Sequence, residues 1–238
     1  MGIVFKGPEG IVLAADSRVT LMAEINQNGQ KVLLPATFDN ASKLLRVAGQ
    51  PYVGVVTYGA GGIGQQAPRT AHSFMPEFEA ELARAPRLSV EDFASALGVF
   101  FMKHWSTSVP ADYIGQSMTF LVGGYDDQAP YGRTFEVDIP RHPAPQERAA
   151  GTFGITWGGQ AELTQRLLRG YDEALLVAAQ KSLSLSDEQL KQLGSPCRFR
   201  INFCRSRIAS IFPSCWFRSP PSSRPGCSGS GASAVKWT

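Results

Sequence analysis

The stretch GIVLAADSRVT, Gly10 to Thr20, is a short apolar run that stops at Asp16, Ser17 and Arg18. A carboxylate and a guanidinium one residue apart at a strand end allow two readings. They are an exposed ion pair, worth at most about 1 kcal/mol, or the charged floor of a cleft. A second candidate is GAGGIG, Gly59–Gly64, which fits the G-x-G-x-x-G pattern of a dinucleotide site. That site needs a strand ending in an acid about 20 residues later. Glu79 and Glu81 lie at that distance but inside a helical pattern, Pro68 interrupts, and the preceding strands form hairpins rather than a βαβ unit. The glycines therefore read as close backbone approach at a substrate cleft. His72, His104 and His142 are scattered, and the four cysteines follow no zinc spacing and have no histidine beside them, so no metal or cofactor is expected.

The elements that must hold Asp16 and Arg18 can be read in order. Gly2–Phe5 and Ile11–Ala15 are apolar runs joined by Lys-Gly-Pro-Glu-Gly, which is hairpin turn chemistry. Lys43–Val47 and Tyr52–Tyr58 make a second strand pair around Gly49-Gln50-Pro51. Phe74, Phe78 and Leu82 then recur at helical spacing, and Ser89 with Asp92 opens a second helix that carries Phe93, Leu97, Phe100 and Phe101 on one face. Strands return at Met118–Tyr125, Arg133–Ile139 and Thr152–Gly158, with HPAPQER, His142–Arg148, read as a loop. Helices close the pattern at Ala161–Arg169, Glu173–Lys181 and Ser186–Leu193. Strands and helices in separate runs point to an α+β protein with antiparallel sheets covered by helices.

A chain of 238 residues is long enough for one sizeable core. No apolar run approaches the ~20 residues of a membrane span, and no signal peptide is read at the start, so a cytoplasmic protein is expected, with no membrane or nucleic-acid partner. The net charge of +3 hides a division. Six Arg, one Lys and no acid lie from Cys197 onward, together with all four cysteines, leaving 16 basic against 20 acidic groups before it. The sequence therefore divides into 1–196 and 197–238.

The opening residues GIVFKGPEGIVLAADSRVT resemble the first hairpin of proteasome β-type subunits and their bacterial relatives, which are N-terminal-nucleophile hydrolases. Further matches follow in order: SKLLRV (Ser42–Val47), VVTYG (Val55–Gly59), FLVGGYD (Phe120–Asp126) and FEVDIP (Phe135–Pro140). The resemblance implies a four-layer αββα sandwich, two antiparallel sheets between helix layers. It implies peptide-bond hydrolysis by an N-terminal threonine, whose hydroxyl attacks while its α-amino group accepts protons. Asp16 would hold a lysine charged and oriented, Arg18 would complete the charged cluster, and Lys43 would be the lysine. The chain between Arg18 and Lys43 is longer than the family's, and Lys31 is the alternative; Lys43 is preferred because the strand after it fits better. Main chain at Thr20 and Gly59 would pair with an extended peptide, with the Gly59 amide as oxyanion donor. The implied partners are peptide or unfolded protein and copies of the chain in a ring.

The sequence also departs from that pattern. Met1 carries no hydroxyl and no Thr or Ser precedes Gly2, so the reading needs a nucleophile from upstream or becomes that of a non-catalytic assembly subunit. Trp157, Gly158 and Gly159 stand where the family has a serine. Residues from about 197 read as a frameshift product. Shifting the codon frame across Ser210–Phe217 permits an apolar helix, and across Ser230–Thr238 a Gly-Gly turn followed by a strand. A disordered tail, an incomplete C-terminal part of the sandwich and poor solubility are expected.

Overall fold

The computed structural model describes residues 1–27, 30–64, 68–160, 162, 164–166, 173–193 and 217–218. β1 (Gly2–Gly7) and β2 (Gly10–Ala15) pair antiparallel around Pro8-Glu9, from Gly7↔Gly10 to Gly2↔Ala15. β3 (Val19–Gln27) and β4 (Gln30–Phe38) form a ribbon of their own. β5 (Leu44–Leu45) and β6 (Val53–Gly59) follow, then a 3-10 turn at Ala71–Phe74, α1 (Met75–Leu82) and α2 (Val90–Ser108). β7 (Met118–Gly124), β8 (Arg133–Ile139), β9 (His142–Arg148) and β10 (Gly154–Gly158) come next, followed by α3 (Glu173–Leu183), α4 (Asp187–Leu193) and β11 (Phe217–Arg218). The described strands form three sheets, ordered β10-β1-β2-β11, β3-β4 and β5-β6-β7-β8-β9, with antiparallel pairing throughout. The protein is a mixed α and β fold with antiparallel sheets, as its segregated sequence pattern suggests.

The five-stranded sheet is apolar on both faces because both are covered. On one face Val55, Phe120, Val122, Phe135 and Val137 pack against α1 and α2 through Phe78, Phe93, Leu97 and Phe101. On the other, Val56, Leu121 and Tyr125 meet Val4, Ile11 and Leu13 of β1 and β2. Each such buried side chain contributes roughly 1.5–3 kcal/mol, so these two clusters fix how the β1–β2 hairpin lies over β6 and β7. The Ser89 hydroxyl accepts from the Asp92 amide at 3.1 Å and starts α2 as its spacing predicts. α3 and α4 pack on one another; Leu175, Val177 and Leu183 of α3 stay exposed.

Two local expectations change. His142–Arg148 is a strand rather than a loop. It is the edge of its sheet, where prolines at 143 and 145 cost no ladder bond on a neighbour. It also lies close on α2, since a Cβ on Gly98 would come 2.1 Å from the Pro143 carbonyl oxygen. The last sheet strand starts at Gly154 rather than Thr152, because Ala149 and Gly151 turn the chain with positive φ. The segment after Thr20 is a long hairpin, whose Asn28-Gly29 dipeptide is a turn signal. Of the predicted Ala161–Arg169 helix, Glu162 and Thr164–Arg166 are helical and the rest lies outside the described residues. So does the 197–238 tail, apart from Phe217 and Arg218, which pair with Ile11 and Gly10.

Candidate active site

The two central strands of the first sheet end at a cleft of about 480 Å³ between the sheets, a size suited to a small ligand or a peptide side chain. Asp16 follows directly on β2 and its amide donates to the Met1 carbonyl at 3.3 Å, so the β1–β2 pairing continues one residue past Gly2. This fixes the Asp16 carboxylate beside the start of β1. Oδ1 accepts from the Met1 ammonium at 2.5 Å and from Lys43 Nζ at 2.8 Å. Oδ2 accepts from the Arg18 amide at 3.3 Å. Lys43 enters just before β5, anchored where its carbonyl accepts from the Thr57 amide at 2.9 Å. Its Nζ donates a second bond to the Arg18 carbonyl oxygen. Two of its three N–H donors are thereby used, and its side chain is 12% exposed against 38% for Asp16.

The electrostatics follow from this packing. Burial pushes the Met1 amine below its ordinary value of 8.0; the Asp16 bond opposes that and the Lys43 charge adds to it. Burial alone would raise the Asp16 carboxyl, but hydrogen bonds from Lys43 and the amine outweigh it and hold the acid below 3.8. The arrangement is a single carboxylate oxygen shared by two cations. It can orient a lysine and, through burial, make the adjacent amine give up its proton more readily than a free one.

The residues singled out from sequence are placed as follows. Asp16 and Lys43 meet. Arg18 joins them through its main chain only, because its guanidinium turns outward to Asp39, Nε at 2.5 Å and Nη2 at 3.1 Å from the two carboxylate oxygens. Thr20, at the start of β3, and Gly59, at the end of β6, line the same cleft. Gly59 has φ +89°, and a Cβ there would stand 2.1 Å from the Ser117 carbonyl oxygen, so both conformation and space call for glycine. The backbone of Lys31 pairs with Asn26 in the ribbon; its side chain lies outside what is described.

Other residues of the site carried no signal that sequence reading used. The ring of Tyr58 lies against Gly158, where a Cβ would fall 1.9 Å from Cζ. Burial, then the nearby Glu136 carboxylate, push its phenol up to about 12, against a hydrogen bond with Thr119. Thr119 in turn donates to Asp138 at 3.0 Å. Gly159 sits under residue 1, since a Cβ there would be 2.8 Å from the Met1 Cα. The Thr164 hydroxyl donates to the Met1 sulfur at 3.1 Å. The Gly158-Gly159 pair was the available clue, and sequence reading took it only as a missing serine.

No protein-family model matches the chain, and no curated protein does. Among solved structures it is similar to Anbu, the ancestral β-subunit, from Yersinia bercovieri, with 14% identity, a TM-score of 0.45, and 78% of this chain and 75% of that one covered. It is similar as well to the Anbu complex of Pseudomonas aeruginosa, described as a helical assembly, with 15% identity, a TM-score of 0.43 and the same coverage. Likeness at this level assigns neither family nor activity. The sequence resemblance to proteasome β-type subunits is corrected accordingly. The matching segments are short strand and turn patterns, and hairpin packing alone selects much of what they share.

Proposed function

We propose that this chain is a subunit of a proteasome-like assembly whose cleft hydrolyses peptide bonds through a hydroxyl on the first residue. The observation that carries this is the shared oxygen of Asp16, which holds Lys43 Nζ at 2.8 Å and the nitrogen of residue 1 at 2.5 Å inside the cleft. In this reading the Met1 ammonium stands in for the α-amino group of a Thr or Ser. The hydroxyl oxygen would bond to the scissile carbonyl carbon and pass its proton to the neutral amine. That amine would protonate the leaving nitrogen as the C–N bond breaks, and water would then cleave the ester. The remaining Lys43 N–H would stabilise the negative charge developing at the hydroxyl, and Asp16 would hold Lys43 in position. The Gly59 amide would serve the carbonyl oxygen. A four-layer αββα order belongs to this reading, as do a cytoplasmic location, a ring of like copies and peptide or unfolded-protein substrates.

A second reading is a non-catalytic assembly subunit, in which the end of β1 serves packing: the Thr164 hydroxyl donates to the Met1 sulfur at 3.1 Å. One experiment separates the two. Chains are prepared with Thr exposed as first residue, at position 1 or at each of the next few positions upstream, and assayed on a fluorogenic peptide. Hydrolysis that requires Lys43 supports the catalytic reading; no hydrolysis from any of them supports the assembly role.

A further inference from the structure

The cleft carries a cation for which the hydrolysis has no use. β8 ends at Ile139 and β9 begins at His142, so Pro140 and Arg141 form the turn between them, with Asp138 opposite His142. Arg141 is exposed and lines the cleft. At the other end of the same hairpin the arginines hold carboxylates, Arg133 those of Glu91 and Glu147 and Arg148 that of Glu136. Arg141 makes no hydrogen bond or ion pair among the described residues. Asp138, three residues before it, accepts from the Thr119 hydroxyl at 3.0 Å instead. The wall of the cleft is short of acid. Asp16 is the one carboxylate among the described residues that line it. The Arg18 guanidinium is held by Asp39, and Lys43 and Arg141 still face the single acid even when the Met1 amine is neutral. A second polar group is unmatched too: the Thr57 hydroxyl, in the cleft wall and 7% exposed, has no hydrogen-bond partner. A cation and a buried hydroxyl are thus left for whatever binds there.

The geometry points to Arg141 as a specificity-determining residue that binds a carboxylate of the peptide in the cleft, from an acidic side chain or from the end of the chain. This rests on the reading of the cleft as a peptide-hydrolysing site. A guanidinium meets a carboxylate through two parallel N–H···O bonds, whereas a side-chain amide offers one acceptor oxygen and no charge. Position decides which carboxylate is in reach. Gly59, Met118 and Ile139 stand in one row across β6, β7 and β8. Neighbouring strands are ~4.8 Å apart, so Ile139 lies roughly 10 Å from Gly59. Extended chain covers that span in about three residues. Lys43 enters from the β5 side of β6, and Arg141 from the β8 side. Arg141 therefore serves a carboxylate within about three residues of the carbonyl at Gly59, while Asp16 and Lys43 stay with the bond cleaved. The substrate class that follows is peptide with Asp, Glu or a free C-terminus close to that bond.

The test reads binding without turnover, on the full chain with Met1 in place. Three rhodamine-labelled peptides of about eight residues are titrated by anisotropy: one with a single Glu and blocked ends, the same with Gln for Glu, and the Gln peptide with a free C-terminal carboxylate. The expected result is binding of a carboxylate peptide about tenfold tighter than the blocked Gln peptide. A gain in the Glu peptide assigns the site to an acidic side chain, and a gain in the free-ended one to a chain terminus. Arg141→Gln abolishes the gain and Arg141→Lys keeps part of it; both replace an exposed turn residue, so the fold is kept. Arg84→Gln, exposed and outside the cleft, removes the same charge and leaves the gain intact. Equal binding of all three peptides, no binding of any, a gain that survives Arg141→Gln, or one that Arg84→Gln removes as well, overturns the proposal. Carboxylate-dependent binding through Arg141 with no hydrolysis by any Thr-start chain would overturn the catalytic reading and leave the Arg141 site standing. Hydrolysis by a Thr-start chain that is indifferent to the carboxylate and to Arg141→Gln would do the reverse.

Discussion

Removing either partner of the Asp16–Lys43 pair should cost stability, and removing both should cost less than the sum. Lys43 donates at 2.8 Å to a carboxylate that is 38% exposed, from a side chain that is 12% exposed. A hydrogen bond between charged groups contributes about 1.5–3 kcal/mol. Water reaching Asp16 reduces this, as it does for surface pairs worth up to about 1 kcal/mol, and the expected coupling is about 1–2 kcal/mol. The assay is a double-mutant cycle in urea with Asp16→Asn, Lys43→Ala and the combined variant. The Met1 amine still reaches the substituted side chain after Asp16→Asn, with or without Lys43, so its contribution largely cancels in the cycle. A coupling within about 0.3 kcal/mol of zero is ordinary additivity. That result would mean the two side chains do not meet in solution, and the argument from their geometry would fail.

Three further outcomes follow from the same packing. The Asp16 carboxyl is held below 3.8 in the folded state, so it adds stability that is complete above about pH 4 and is lost as pH falls through the folded value. Asp16→Asn should therefore flatten the acid limb of the stability profile measured by urea midpoints from pH 2 to 6. Tyr58 titrates near 12 in the fold against 10.0 when free; its contribution is present below pH 10 and lost as pH rises towards 12. Absorbance at 295 nm should show late-titrating tyrosines, since burial raises Tyr125 as well, and Tyr58→Phe should remove one of them, along with part of the alkaline unfolding. Gly59→Ala should destabilise by about 2–4 kcal/mol, combining positive-φ strain with the clash on Ser117. Gly49→Ala, with φ +78° and nothing within 4 Å, should cost about 1 kcal/mol; equal losses in denaturant midpoints would contradict this.

How much was legible in the sequence depended on how local each signal was. The β1–β2 hairpin is written in Lys-Gly-Pro-Glu-Gly between two apolar runs, and α2 in Ser89, Asp92 and the Phe spacing. Both are short-range and both form. The pairing of Lys43 with Asp16 spans 27 residues, with a ribbon inserted between. Nothing in the spacing separates Lys43 from Lys31; the choice of Lys43 came from the strand that follows. Arg18 was placed by its distance from Asp16, while its actual partner, Asp39, lies across the mouth of the ribbon hairpin, in a segment sequence reading left without structure. Tyr58 against Gly158 is a contact between two sheets, set by how they stack and invisible to periodicity. HPAPQER misled because two prolines usually mark a loop; an edge strand beside Gly98 of α2 is where they are tolerated. The proteasome β-type resemblance joined short segments that strand and turn patterns alone can produce.

The central claim is that Asp16 and Lys43 are arranged to serve a nucleophile at the head of β1. The direct measurement is the intact mass of a Thr-start chain after exposure to a peptide β-lactone, which acylates an activated hydroxyl. The account predicts one acyl adduct on the first residue, formed at least about 100-fold more slowly after Lys43→Ala. No adduct in any Thr-start chain, or an adduct whose rate ignores Lys43, would contradict it.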